Sequence, residues 1–194
     1  MIAIRPIPSL DATVNLPGSK SLTQRALAIA ALAQGESLLK NALTADDTVI
    51  LAGALRMVGA EIRQNGDDMV VRGTGGTVGH PKSALYLGNN GTALRLLTGI
   101  ASLADGPVTL TGDKRLRERP LQPLLEALAS LGVESVTEGG KGYPPTTISG
   151  GGIRGGIAVL RDIGSSQYVS SLLIAAPYAE GKTEIVRSEE HTSE

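Results

Sequence analysis

Lys20, Ser21 and Arg25 stand close together behind a glycine, in Gly18-Ser19-Lys20-Ser21-Leu22-Thr23-Gln24-Arg25. An ammonium, a hydroxyl and a guanidinium in the first turns of a helix make a set suited to phosphate or carboxylate. The helix start exposes free N–H groups and the positive end of the helix dipole, and Arg25, four residues after Ser21, shares its face. Two more segments open in the same way. Gly88-Asn89-Asn90-Gly91 is followed one turn later by Arg95, and Gly164-Ser165-Ser166-Gln167 leads a third apolar run. A glycine ahead of each helix is expected to let the backbone approach a ligand with no Cβ in the way. Serine and asparagine there serve equally as plain caps or as donors to an oxyanion. One such start decides nothing; three equivalent starts favour anion binding.

Two charged clusters lie between these starts. Lys114-Arg115-Leu116-Arg117-Glu118-Arg119-Pro120 places four cations just before a helix led by Pro120. Such a fork-rich loop suits bidentate capture of a carboxylate, and it equally suits a solvated loop bridged to Glu118. Ala45-Asp46-Asp47-Thr48 reads as the N-cap of the next helix. The first start is not a nucleotide-binding P-loop, because Ser19 separates Gly18 from Lys20 and Thr13 stands where the upstream glycine belongs.

The elements that must position these residues recur along the chain. The first glycines are 70 and 76 residues apart, the glycines that close each helix (Gly35, Gly106, Gly181) are 71 and 75 apart, and the inner spacings are 17, 18 and 17. Each interval holds an apolar helical run, LTQRALAIAALAQ, TALRLLTGIASLAD and YVSSLLIAAPYAE, followed by a strand-like stretch. A second half repeats too: ILAGALRMVGAEI and LQPLLEALASLGVESV end at Gly59 and Gly132 before further strands. The expected fold is α/β (α+β by some schemes), built from repeated βαβαββ units with pseudo-threefold packing. The third unit is incomplete after Val186. The last eight residues, RSEEHTSE, hold no apolar side chain and resemble a translated sequencing adapter, so 187–194 is expected to be a non-native tail that contributes nothing to the fold.

Composition excludes several classes. The 194 residues carry 18 basic and 19 acidic side chains and no Phe or Trp, which speaks against a nucleic-acid partner. There is no cysteine, so disulfides, thiolate metal sites and a cysteine nucleophile are ruled out. The two histidines lack partners at ligand spacing, so no metal and no other cofactor is expected; His80, beside Pro81, reads as a loop residue. The N-terminus has no run long enough for a signal peptide or a membrane span, and a cytoplasmic location is expected.

The segments LPGSKSLTQRALAIAALAQG, LGNNGTALRLLTG, TGDKRLRERPL and GSSQYVSSLLIAAP resemble, in order and spacing, the 5-enolpyruvylshikimate-3-phosphate synthase family. Members are more than twice this long, with two domains of three units each. By that resemblance residues 1–18 are the first strand of a domain otherwise missing, and 19–186 are most of the substrate-binding domain. The resemblance implies transfer of the enolpyruvyl group of phosphoenolpyruvate to the 5-hydroxyl of shikimate 3-phosphate, with loss of phosphate. It implies Lys20 as the catalytic cation touching both substrates. Ser21, Arg25, Ser165 and Ser166 would bind shikimate 3-phosphate, Asn89, Gly91 and Arg115 would bind phosphoenolpyruvate, and Gln167 would reach both. A side chain at Gly91 would crowd phosphoenolpyruvate. Asn90 and Leu96 depart from common family choices and bear on inhibitor sensitivity. The family's acid–base carboxylate has no counterpart here, so the chain alone is expected to be inactive, and the full-length protein a monomer.

Three other readings remain: a non-catalytic anion-binding module, UDP-N-acetylglucosamine enolpyruvyl transferase, and RNA 3′-terminal phosphate cyclase. The transferase has a Gly-Ala-Lys-Asn start and commonly a catalytic cysteine. The cyclase fits poorly with neutral charge and scarce aromatics.

Overall fold

The computed structural model describes residues 9–161 and 164–188, the side chain of Ser188 excepted. The first unit contains α1 (Lys20–Leu32), β1 (Glu36–Leu39), α2 (Asp46–Met57), β2 (Glu61–Asn65) and β3 (Asp68–Arg72). The second contains β4 (Leu85–Tyr86), α3 (Gly91–Ala101), β5 (Val108–Thr111), α4 (Gln122–Ser130), β6 (Ser135–Thr137) and β7 (Thr146–Ile148). The third contains β8 (Gly156–Arg161), α5 (Gln167–Ala175) and β9 (Thr183–Ser188).

The sheets repeat as the sequence does. The order β1-β3-β2 in the first sheet matches β5-β7-β6 in the second, and both are antiparallel. Beside β5 lies the parallel strand β4, and β8 pairs with β9 in the same parallel sense. The fold is therefore mixed α/β, with βαβαββ units as expected. Strand β9 runs two residues past Val186 (Arg187 opposite Leu160, Ser188 opposite Arg161); residues 189–194 lie outside the described residues. The expected first strand falls largely in residues 1–8, also outside them, and 9–19 form no helix or strand.

Helices α1, α3 and α5 pack against one another, while α2 leans on β4 and α4 on β8, each outer helix reaching the next unit's leading strand. That is the pseudo-threefold arrangement. Its core is aliphatic, with Leu27, Leu55, Leu94, Ile100, Leu110 and Leu172 each at most 1% exposed. The α3–α5 contact is the tightest. The Gly99 N–H donates to Ser171 Oγ at 3.1 Å, and Ser171 Oγ donates to the Arg95 carbonyl at 2.6 Å. Leu22, Ile29, Leu38 and Leu173 are all more than half exposed.

At the far end, Tyr178 reaches back to the first unit. Its hydroxyl donates to the Leu32 carbonyl at 2.7 Å, and its ring lies against Gly76.

His80 is in a loop, as expected, and it has a partner. Its Nδ1–H donates to Asp105 Oδ1 at 2.8 Å, and this hydrogen bond holds the Asp105 carboxyl below the usual aspartate value. A depressed carboxylate pKa favours the folded state above the unfolded value, a contribution lost as pH falls through the folded one. In His80→Ala, carbon-detected NMR titration should therefore find Asp105 protonating at a higher pH, nearer the ordinary aspartate range. An unmoved titration would mean that the bond does not form in solution.

Candidate functional site

The N-termini of α1, α3 and α5 meet at one end of the molecule, tied together by side chains. Lys20 Nζ pairs with Asp47 Oδ2 at 2.7 Å, and the Asp47 carbonyl accepts from Asn90 Nδ2 at 2.7 Å. Asp47 thereby joins the first helix start to the second. Asn90 is also the cap of α3, its Oδ1 accepting from the Ala93 N–H at 2.9 Å; a 2%-exposed asparagine engaged on both sides is a structural post.

Arg25 joins the first start to the third. Its Nη1 donates to the Ser21 carbonyl at 3.2 Å and also bonds the Ser21 hydroxyl. Its Nε donates to Ser170 Oγ at 3.1 Å, and Ser170 Oγ donates to the Ser166 carbonyl at 3.1 Å. The guanidinium is thus fixed across the α1–α5 seam, beside the Ser165-Ser166 turn. Ser165 Oγ accepts from the Gln167 N–H at 3.3 Å.

Gln167 joins the second and third starts. Its Oε1 accepts from Arg95 Nη1 at 2.5 Å and its Nε2 donates to Thr92 Oγ1 at 2.9 Å. Arg95 also stacks over the Tyr168 ring, 4.9 Å from its centre, where an arginine cation is attracted by the ring quadrupole. The Tyr168 hydroxyl donates to the Pro120 carbonyl at 2.8 Å, fastening α5 to the basic loop.

That loop is pinned to the second start. The Asp113 N–H donates to the Gly88 carbonyl at 2.9 Å, the Asp113 carboxylate caps the turn at Leu116, and Leu116 is fully buried. The cations do not bridge to Glu118: among the described residues no ion pair joins them. The following helix starts at Gln122, with Pro123 in its first turn, so Pro120 precedes it instead of leading it. Arg119 Nη2 donates to Asn89 Oδ1 at 3.2 Å and its side chain lies against Gly91. Arg115 opens the turn Leu116–Glu118, and its guanidinium makes no hydrogen bond or ion pair among the described residues.

Lys20, Ser21, Arg25, Asn89, Gly91, Ser165, Ser166 and Gln167 thus gather at one end, and Arg115 stands on a loop fixed to it. Sequence reasoning missed Asp47, Thr92 and Ser170 as members of the cluster and took Arg119 only as part of a charge run. Ala45–Thr48 is the N-terminal cap of α2 as expected, with Ala45 at the cap, its N–H donating to Thr48 Oγ1 at 2.9 Å, and Asp46 and Asp47 in the first turn.

The leading glycines are not alike. A Cβ on Gly18 would strike the backbone of Asn41 and lie 2.7 Å from Leu43 N. Gly88 has φ +55°, which disfavours a side chain, and Gly164 faces open space. Chain packing requires glycine at the first position and turn geometry favours it at the second, whereas a Cβ at Gly164 would meet nothing among the described residues.

The family model described as EPSP synthase (3-phosphoshikimate 1-carboxyvinyltransferase) matches residues 4–193. The chain belongs to the EPSP synthase family. The 3-phosphoshikimate 1-carboxyvinyltransferase of Methanothermobacter thermautotrophicus is 48% identical over 173 residues, 89% of this chain and 41% of that protein. The pentafunctional AROM polypeptide of Schizosaccharomyces pombe is 46% identical over 179 residues, 88% of this chain and 11% of its own length. Among solved structures, EPSP synthase from Acinetobacter baumannii superimposes with a TM-score of 0.83 at 32% identity, covering 93% of this chain and 41% of that one. The chain thus spans about two-fifths of the single-function EPSP synthases it matches.

Proposed function

We propose that this chain forms one wall of an active site that transfers the enolpyruvyl group of phosphoenolpyruvate to the 5-hydroxyl of shikimate 3-phosphate. The observation that supports it is the meeting of three helix N-termini with Lys20, Arg25, Arg95, Arg115 and Arg119 around them. Two polyanionic substrates need such a surface, and charge fixed before binding costs no reorganisation during reaction.

The reaction is addition followed by elimination. The 5-hydroxyl gives up its proton as its oxygen bonds to C2 of phosphoenolpyruvate, and C3 gains a proton, giving a tetrahedral intermediate. The C2–O bond to phosphate then breaks, C3 loses a proton, and inorganic phosphate leaves. In this proposal Lys20, poised at the junction of the first two starts, contacts both substrates and stabilises the charge that develops on the departing phosphate. Ser21, Arg25, Ser165 and Ser166 hold the phosphate of shikimate 3-phosphate across the α1–α5 seam. Asn89, Gly91 and Arg115 hold phosphoenolpyruvate, with Gln167 between the ligands. Residues 19–186 belong to one of two domains, 1–18 to the other, and the acid–base groups come from the other domain of a full-length monomer.

The test is phosphate release from phosphoenolpyruvate by the protein encoded by the complete reading frame. Release should require shikimate 3-phosphate and yield an enolpyruvyl product. Release that ignores shikimate 3-phosphate, or none at all from a folded protein, would refute the reading.

A further inference from the structure

Arg25 is a half-buried cation, and among the described residues no carboxylate neutralises it. Its guanidinium is a rigid planar fork of N–H donors. Ser21 takes Nη1, through its carbonyl at 3.2 Å and through its hydroxyl, and Ser170 Oγ takes Nε at 3.1 Å. A single anchor would let the fork swing about its stem, whereas anchors on two different helices hold it. Nη2, the remaining corner, makes no hydrogen bond or ion pair among the described residues.

Ser170 is itself oriented. Its N–H and its hydroxyl both donate to the carbonyl of Ser166, the cap residue of α5, at 3.0 and 3.1 Å. A hydroxyl has one proton and two lone pairs. With the proton committed to Ser166, lone-pair density is left for Arg25, which can only donate. The neighbouring hydroxyl has other work, because Ser171 seats α5 against Gly99 and the Arg95 carbonyl of α3. Ser170 bonds only Arg25 and its own helix among the described residues. A carboxylate in its place would hold the guanidinium and cancel its charge; a hydroxyl holds it and leaves the charge to a ligand.

We propose that Ser170 is a positioning residue of this site: it orients Arg25 so that Nη2 meets the phosphate of shikimate 3-phosphate, and it keeps the Ser166 turn in register with that arginine. The role rests on the assignment of Arg25 to that phosphate. Ser170 touches no substrate and acts through the guanidinium.

The test uses the protein from the complete reading frame. Ser170→Ala should raise the Kd for shikimate 3-phosphate, read by isothermal titration, about tenfold, the scale of one misplaced charge-assisted contact. The KM for phosphoenolpyruvate, at saturating shikimate 3-phosphate, should change by less than about twofold. Ser170→Thr keeps the hydroxyl and its bond to Ser166, and should bring the Kd back to within about twofold of the parent. In an Arg25→Ala background, Ser170→Ala should add nothing, because sites coupled through one side chain do not add. A serine that merely steadied α5 would weaken binding with or without Arg25, and would move both substrates together. A second readout needs no ligand: NMR should find the Arg25 Nε–H losing its protection from exchange in Ser170→Ala and keeping it in Ser170→Thr. An unmoved Kd in Ser170→Ala, losses additive with Arg25→Ala, or an Nε–H equally protected in Ser170→Ala would overturn the role of Ser170. A Kd unchanged by Arg25→Ala would overturn the assignment of Arg25 to shikimate 3-phosphate instead.

Discussion

Lys20→Met in the full-length protein should lower kcat/KM by roughly a thousandfold, about 4 kcal/mol of transition-state stabilisation, the scale of a lost preorganised charge at a reacting centre. The ion pair with Asp47 makes the consequence larger than the loss of one cation. With the ammonium gone, the Asp47 carboxylate, 2.7 Å away in the unsubstituted protein, is left uncompensated where the proposed reaction places an anion. A second change, Asp47→Asn in the Lys20→Met background, should therefore recover binding of shikimate 3-phosphate several-fold (of order 1 kcal/mol for a like-charge repulsion removed near a surface) without restoring turnover. Isothermal titration separates the two effects. Equal binding by the single and double variants would show that Asp47 exerts no field on the ligand, and an unchanged rate in Lys20→Met would remove Lys20 from the chemistry.

The largest loss of stability is expected from Gly99→Val. A Cβ at Gly99 would lie 2.6 Å from Ser171 Oγ and 2.7 Å from the Ser171 carbonyl oxygen. The backbone of α5 cannot yield as a flexible side chain can, so α3 and α5 must separate. Overpacking of this kind costs about 3 kcal/mol, which for a chain of this size lowers Tm by roughly 6–12 °C. Thermal unfolding followed by circular dichroism reads it directly. A Tm within about two degrees of the parent would mean that the α3–α5 seam yields to the added side chain.

The repeat was legible because glycine spacing and helical periodicity are local patterns. Runs such as TALRLLTGIASLAD contain the core face of α3 in their own order, and Gly88 and Gly106 bracket it. The strands β4 and β8 were not read. Leu85–Tyr86 is too short to show alternation, and Gly156–Arg161 follows a glycine cluster that reads as loop. The candidate site was legible as residue types and illegible as contacts. Lys20 and Asp47 are 27 residues apart, and Asp47 looked like a cap because an acidic first turn is also what a helix start favours. Thr92 and Ser170 are ordinary helix residues until the units close, when they meet Gln167 and Arg25. Arg119 was hidden in a charge run whose members differ only in where the loop is pinned.

The bond from Tyr178 to Leu32 has a consequence for how the chain is made. It joins residues 146 apart in sequence, so the ring of three inner helices stays open until the third unit has left the ribosome. Helices α1 and α3 can pack beforehand, but their faces toward α5 remain wet until Ser171 seats against Gly99. Long-range closure of this kind slows folding and prolongs exposure of apolar surface. Until the third unit has been made, the first two present that surface to solvent.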